Sequence, residues 1–255
     1  MDINVNLNLP KPVNKFLNPI AISAGETLSN VWNGCFAYLN TWAQKQIFKN
    51  QQDFIAYKNS VEKKYADIPE NQRKEPQLSL IGPAIEASKY YIEEPIIREM
   101  FSTLIAASMD KRKEHLVHHS FVDIIKQMAP NDATVLSKIE HNGPLAEIRV
   151  YTKSNSYSYR RIGPTDMVIL PHATDSEILP DTISMSNLAR LGLVHFDRIM
   201  SLSVQSVYDK YMYCSYYQEA LRFLKENKQD YERCDISKGM FSLTQLGYTF
   251  QELCL

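Results

Sequence analysis

The sequence predicts a mainly α-helical chain with a small β component: an N-terminal helical arm, central helices, and a C-terminal winged-helix-like module carrying an inserted long helix. Three observations predict it. Apolar residues recur at three- and four-residue steps through stretches poor in proline and glycine, which marks amphipathic helices. Strand-like alternation is confined to short segments, above all residues 145–162. Hydrophobic residues make up 44% and charged residues 22%, enough for a real core and unlike a disordered chain. The 255 residues fit one large domain or two small ones. The boundaries read as an extended segment and helical arm over 1–75, a central helical segment over 76–114, and the winged-helix-like module over 115–255.

The chain begins with Ile3, Val5, Leu7 and Leu9 in alternation, material for one edge strand. From Ile20 to Ala66 the pattern is helical, with Leu28, Val31, Cys35, Leu39 and Trp42 as its stripe. A single helix over this span would reach roughly 70 Å, so it must break near Gly34 or Asn50 or project as an arm. The stripe needs a partner, and a homo-oligomer, a dimer, through this arm is the expectation. Residues 69–79 are polar with two prolines and read as a linker. Pro83 suits the first turn of the next helix, and Pro95 should stop or kink it. Lys111, Arg112 and Lys113 stand where cations complement a helix C-terminus. A short helix over 121–128 turns Phe121, Ile124, Ile125 and Met128 inward. Asn131 or Asp132 caps the helix after it, and Asn142-Gly143 ends that helix. Then Ile148/Val150 and Tyr157/Tyr159 alternate about a Lys-Ser-Asn-Ser turn, a β-hairpin. A helix from Ile178 ends at Gly192, a strand follows over 193–196, and a long helix spans 204–227. Gly239–Leu243 reads as a short strand before a last helix with Leu246, Phe250 and Leu253.

Composition narrows the function classes. The formal charge is −1, from 28 basic and 29 acidic residues, so nucleic-acid binding would have to come from a local patch. Cys35, Cys214, Cys234 and Cys254 form no C-x-x-C pair and fit no zinc spacing. Met1–Leu9 lacks the basic start and apolar run of a secretory leader, so free thiols in the cytoplasm are the expectation. No apolar run reaches the ~18–20 residues of a membrane helix. There is no Gly-rich phosphate loop, no G-x-S-x-G and no H-E-x-x-H. The densest ligand-like cluster is His115, His118, His119 and Asp123, which reads first as a hydrated loop between helices. Glu93, Glu94 and Glu99 read first as solvated charges, since adjacent helix residues do not face one way. No catalytic residue, metal ligand or cofactor is assigned, and the reading leans away from an enzyme.

Leu188–Leu193 (LARLGL) and Leu243–Gly247 (LTQLG) match the two ends of a winged helix, where the third helix drops into a strand and a return strand leads into a last helix. Such helices often enter DNA. Between Thr165 and Asp197, however, five acids stand against Arg190 alone, a net −4 that phosphate would repel. Gly82-Pro83, Tyr90–Glu94, Met109–Arg112, His119–Phe121 and Ala129–Asp132, with the two late elements, resemble the Abi-alpha (abortive infection alpha) family over roughly residues 78–253. The resemblance implies a bacterial or phage-associated protein of phage defence and supplies no catalytic residues.

The leading expectation is therefore a non-enzymatic phage-defence protein that binds a host or phage protein through its winged-helix half. The alternatives are an unrecognised toxic nuclease or hydrolase and a nucleic-acid-binding winged helix. Nucleic acid is the disfavoured partner. Its one candidate patch is the hairpin, where Arg149, Lys153, Arg160 and Arg161 outnumber Glu147 for a net +3 beside Tyr157 and Tyr159. Side-chain alternation puts Tyr157 and Tyr159 on one face and Arg160 on the other. If the tyrosine face packs on the core, a modest basic edge is left; if it faces solvent, it offers a stacking platform.

Overall fold

The structure, a computed structural model, describes residues 48–255. The stripe Leu28, Val31, Cys35, Leu39 and Trp42, and the arm and edge strand expected before Phe48, lie outside the described residues. Two compact units are formed. One runs to Lys126 and includes Cys254; the other comprises Gln127–Leu253 and Leu255.

In the first unit, helix α1 (Phe48–Ala66) sets Phe54, Tyr57, Val61 and Tyr65 at three- and four-residue steps, and all four are buried. That stripe holds down a helix whose sequence is otherwise polar. Its main partner is α3 (Pro95–Ser108), where Ile97, Met100, Phe101, Leu104 and Ile105 are buried. Polar ties align the pair: Ser60 Oγ meets Ser102 Oγ at 2.9 Å, Lys64 meets Glu99 at 2.6 Å, and Arg98 meets Asp53 at 2.6 Å. α2 (Leu78–Ser88) packs against α3, burying Leu80, Ile81, Ala84 and Ile85. Pro83 lies inside this helix rather than in its first turn. The helix starts earlier than the sequence suggests and forgoes the bond to the Ser79 carbonyl, a loss its buried apolar face offsets. Pro95 behaves as read: it is at the first position of α3, where its missing N–H costs no helix bond.

The polar stretch 69–79 is tied to its own unit rather than free. Arg73 donates to the carbonyls of Ile68 (2.9 Å) and Ala66 (3.1 Å), and its guanidinium lies over the Tyr65 ring. Lys74 N–H donates to the Met109 carbonyl at 3.0 Å, and its ammonium meets Glu114 at 2.7 Å. The Met109–Arg112 segment turns on Asp110. Its buried carboxylate accepts the Arg112 backbone N–H at 2.9 Å and the Arg112 guanidinium in a two-pronged bond. Helix α4 (Ser120–Lys126) follows and buries Phe121, Val122, Ile124 and Ile125.

The second unit contains α5 (Pro130–Ser137), β1 (Asn142–Thr152), β2 (Tyr159–Met167), α6 (Asp175–Arg190), β3 (Val194–Asp197), α7 (Lys210–Tyr213), α8 (Ser215–Glu226), β4 (Tyr231–Leu243) and α9 (Gln245–Cys254). The strands make one antiparallel sheet in the order β2-β1-β4-β3. Asn142-Gly143 opens β1 instead of ending a helix. A Cβ at Gly143 would stand 2.4 Å from the tip of the Phe241 ring, which would have to shift to admit it. Ala129 N–H donates to Asp132 at 2.8 Å, so Asp132 caps α5 from its third position.

The single helix expected over 204–227 is broken into a 3₁₀ turn at Gln205–Tyr208, then α7, then α8, with Cys214 extended between the two helices (φ −74, ψ 159). The breaks let Tyr208 and Tyr211 both point into the sheet, where their hydroxyls donate to the carbonyls of Gly239 (2.6 Å) and Pro144 (2.8 Å). A straight helix places residues three apart on one face but spends its backbone bonds internally. Here Ser215 N–H instead donates to Asp175 at 3.0 Å. The strand read at Gly239–Leu243 is the end of the longer β4.

The two late elements meet as their sequence pattern requires. Gly192 ends α6 with φ +77, a conformation open to glycine. Thr244 caps α9 by accepting Gly247 N–H at 3.0 Å, and its own hydroxyl donates to the Gly192 carbonyl at 2.6 Å.

Candidate interaction surface

β1 is the central strand from which the surface is built. Its register pairs Arg149 with Arg161 of β2 and Asp235 of β4, and Tyr151 with Tyr159 and Arg233. Directly paired residues share a face, so these six and Glu147 project to one side. The opposite parity, Ala146, Ile148, Val150 and Ile162, is buried against Tyr208, Tyr211 and Ala220. The tyrosine face is thus the outward one. Tyr159 is 40% exposed, and Tyr157, in the turn before β2, is 89% exposed.

On that face four side chains stack in a row across three strands. The Arg149 guanidinium lies 4.3 Å from the Tyr159 ring centre, Tyr159 and Tyr151 are 5.6 Å apart, and Arg233 lies 4.3 Å from Tyr151. Cation–π contact of this kind fixes flexible arginines without hiding them. The charges are matched as well. Glu147, only 11% exposed, takes Arg149 at 2.8 Å and Arg161 at 3.5 Å; Asp235 and Glu232 take Arg233 at 2.8 and 2.5 Å. The hydrogen bond that Arg233 donates to Asp235, more than any other cause, raises the Arg233 pKa.

The remaining hairpin cations are placed apart from the row. Arg160 is on the inner side, its guanidinium 4.6 Å from the Phe223 ring centre. Lys153 is exposed in the turn and its ammonium donates to the Lys228 carbonyl. The positive balance of the hairpin sequence is therefore not the balance of the surface. With Arg160 still exposed on the other side, Arg149, Lys153, Arg160, Arg161 and Arg233 stand against Glu147, Glu232 and Asp235, five cations against three carboxylates, a net +2. Arg233 and its acids come from β4, far along the chain, and no local sequence signal joins them to the hairpin.

The acidic stretch 165–197 is also redistributed. Asp181 is buried and accepts from Asn131 at 3.2 Å. Asp166, held at φ +51 where β2 bulges past Glu147, is clasped by Arg198, with Nε at 2.6 Å. Glu177 caps α6 through Thr174, and Asp197 accepts the N–H groups of Ile199 and Met200. The outward face of α6 offers Leu179 and Ile183, 45% and 61% exposed, and one cation, Arg190, which is bonded to Gln127 and Asn187. The acids fold the unit more than they repel phosphate, and an apolar rather than a basic face is what α6 presents.

The histidine cluster does not converge. His119 meets Ser79 at 3.0 Å, His118 meets Ser120 at 2.7 Å, and Asp123 pairs with Lys126. Glu99 is engaged by Lys64 and Ser60, away from any metal-like grouping. Among the described residues no three His, Cys, Asp or Glu side chains gather as a metal ion needs. Among the same residues no helix is long and apolar enough to cross a membrane.

A mainly helical protein with a curled four-stranded sheet and a paired Arg–Tyr face is the class these observations define. Residues 49–254 match the family described as abortive infection alpha, and the chain belongs to that family. The match takes in α1, where the sequence resemblance is looser than over residues 78–253. No curated protein matches. Among solved structures the chain is similar to an uncharacterized protein from the hydrocarbon-degrading marine bacterium Alcanivorax borkumensis SK2, at 14% identity and TM-score 0.29, over 56% of this chain and 94% of that one.

Proposed function

We propose that the protein serves abortive-infection-type defence against phage by binding another protein, host or phage, without catalysing a reaction. The abortive-infection role follows the family. The mode of action rests on one observation, the Arg149–Tyr159–Tyr151–Arg233 row. Tyrosine and arginine dominate the energetics of protein interfaces, where rigid rings supply area at small entropic cost. Matched carboxylates beside them favour a protein, since a nucleic-acid site leaves its cations free for phosphate. The junction at which α6 drops into β3 and β4 leads into α9, within the order α5-β1-β2-α6-β3-α7-α8-β4-α9, supports a winged-helix-like platform, and the exposed Leu179 and Ile183 of α6 favour a protein there too.

The test is a pull-down from phage-infected cells with wild type and with Tyr151→Ala/Tyr159→Ala, alongside phage plating. Loss of one hot-spot ring costs about 2 kcal/mol, near 30-fold in affinity. The double variant should lose the captured protein and the protection together. Protection that survives it removes this face from the function.

The exposure of Tyr157 and Tyr159 favours a second reading, single-strand binding by stacking. It requires affinity that falls with salt by about 1.4 log units per log unit when Lys153 and Arg161 both contribute. Absence of binding at ~50 mM salt, where phosphate contacts are strongest, eliminates it.

A further inference from the structure

β4 is 13 residues long, but β3 covers only its last four, Met240–Leu243. From Tyr231 to Gly239 it is paired with β1 on one side and has no strand partner on the other among the described residues. A cleft of about 470 Å³ is lined by Cys234, Asp235 and Ile236 together, with Lys238. Consecutive strand residues point to opposite faces, so all three can border one cleft only if it runs along the strand's open edge. Its far wall is Tyr208, Asp209, Met212 and Tyr217, a mixed polar and aromatic floor beside the open edge. Such an edge is a template for another strand unless it is blunted or covered.

We infer that the occupant is β4 of a second copy of this chain, paired antiparallel about a two-fold axis at Cys234. Charge selects this register. Two copies that keep their outward faces on the same side must be centred on a single residue. Centring on Arg233 sets arginine against arginine, and centring on Asp235 sets carboxylate against carboxylate. Centring on Cys234 sets Arg233 of each copy opposite Asp235 of the other, twice. These two groups already pair along the strand at 2.8 Å, so the same chemistry extends across the axis. The isologous contact joins two sheets into one of eight strands and makes the two Arg–Tyr rows continuous. This interface is distinct from the arm stripe Leu28–Trp42, and it goes beyond the proposed function without depending on it.

The experiment is light scattering of the full chain at tens of micromolar, for wild type, Arg233→Asp, and Arg233→Asp/Asp235→Arg. Dimeric wild type, at least about tenfold weaker association in the single variant, and recovery in the double swap support the register. The double swap guards against misfolding, because a merely damaged strand does not regain a dimer when a second charge is reversed. A monomeric wild type overturns the proposal. So does a dimer that Arg233→Asp leaves intact.

Discussion

Replacing Gly247 by alanine separates local propensity from tertiary fit. Gly247 is in the first turn of α9, where alanine is the better helix former by about 1 kcal/mol. Local reasoning therefore expects stabilisation. In the fold, a Cβ at this position would overlap the Leu193 carbonyl oxygen, stand 3.1 Å from the Leu193 carbonyl carbon and 3.2 Å from Leu243 Cδ2. The obstacle is backbone and cannot swing aside. The same carbonyl accepts Thr244 N–H at 3.0 Å, and Thr244 Oγ1 caps Gly247 at 3.0 Å. Relief of the overlap must open this junction. Losing the cap costs ~1 kcal/mol, and each loosened hydrogen bond costs about 1 kcal/mol more. After the gain in propensity the net is a loss of roughly 1–3 kcal/mol, a sizeable part of the 5–15 kcal/mol typical of a domain. Urea unfolding of wild type and Gly247→Ala reads it as a lower midpoint with an unchanged slope. A midpoint equal to or above wild type would refute the reasoning, because helix propensity would then outweigh the close approach.

Asp110→Asn should flatten the acid limb of stability. Arg112 holds the Asp110 carboxyl below its ordinary 3.8, so its contribution is present above that pH and is lost as pH falls through the lowered value; thermal unfolding between pH 6 and 2 checks this. Arg198→Ala leaves buried Asp166 unpaired in its left-handed turn and should destabilise by about 1–3 kcal/mol, below the full cost of a buried pair because Arg198 is 60% exposed. Asp166→Gly in that background should recover part of the loss in the same melt. Burial pushes the Cys234 thiol up to about 11, so its alkylation by iodoacetamide should rise about tenfold per pH unit from 8 to 10. A rate that plateaus near pH 8.5 would contradict that environment.

Much of the local structure is carried by spacing. Phe121, Ile124 and Ile125 announce the buried face of α4, the Lys-Ser-Asn-Ser turn announces the hairpin, and the glycines and threonine at 192, 244 and 247 announce the junction where α6 and α9 meet β3. These are short-range features, set by backbone sterics and by periods of 3.6 and 2. The alternation of residues 145–162 also determines which side chains share a face. It cannot determine which face is covered, because the cover is the 205–226 segment, much later in the chain. Only the tertiary structure decided that Tyr159 lies on the open face and Arg160 on the side of Phe223. The charge reading of 165–197 met the same limit. Composition counts Asp166 and Asp181 as surface acids, whereas packing buries both and gives them Arg198 and Asn131 as partners. The break at Cys214 is tertiary as well: periodicity permits one long helix, and the two tyrosine hydroxyls bonded to sheet carbonyls make the broken one stable. A sequence specifies which groups can lie together through nearby steps along the backbone. Burial, and with it the sign and chemistry of a surface, depends on contacts between segments that no local period encodes.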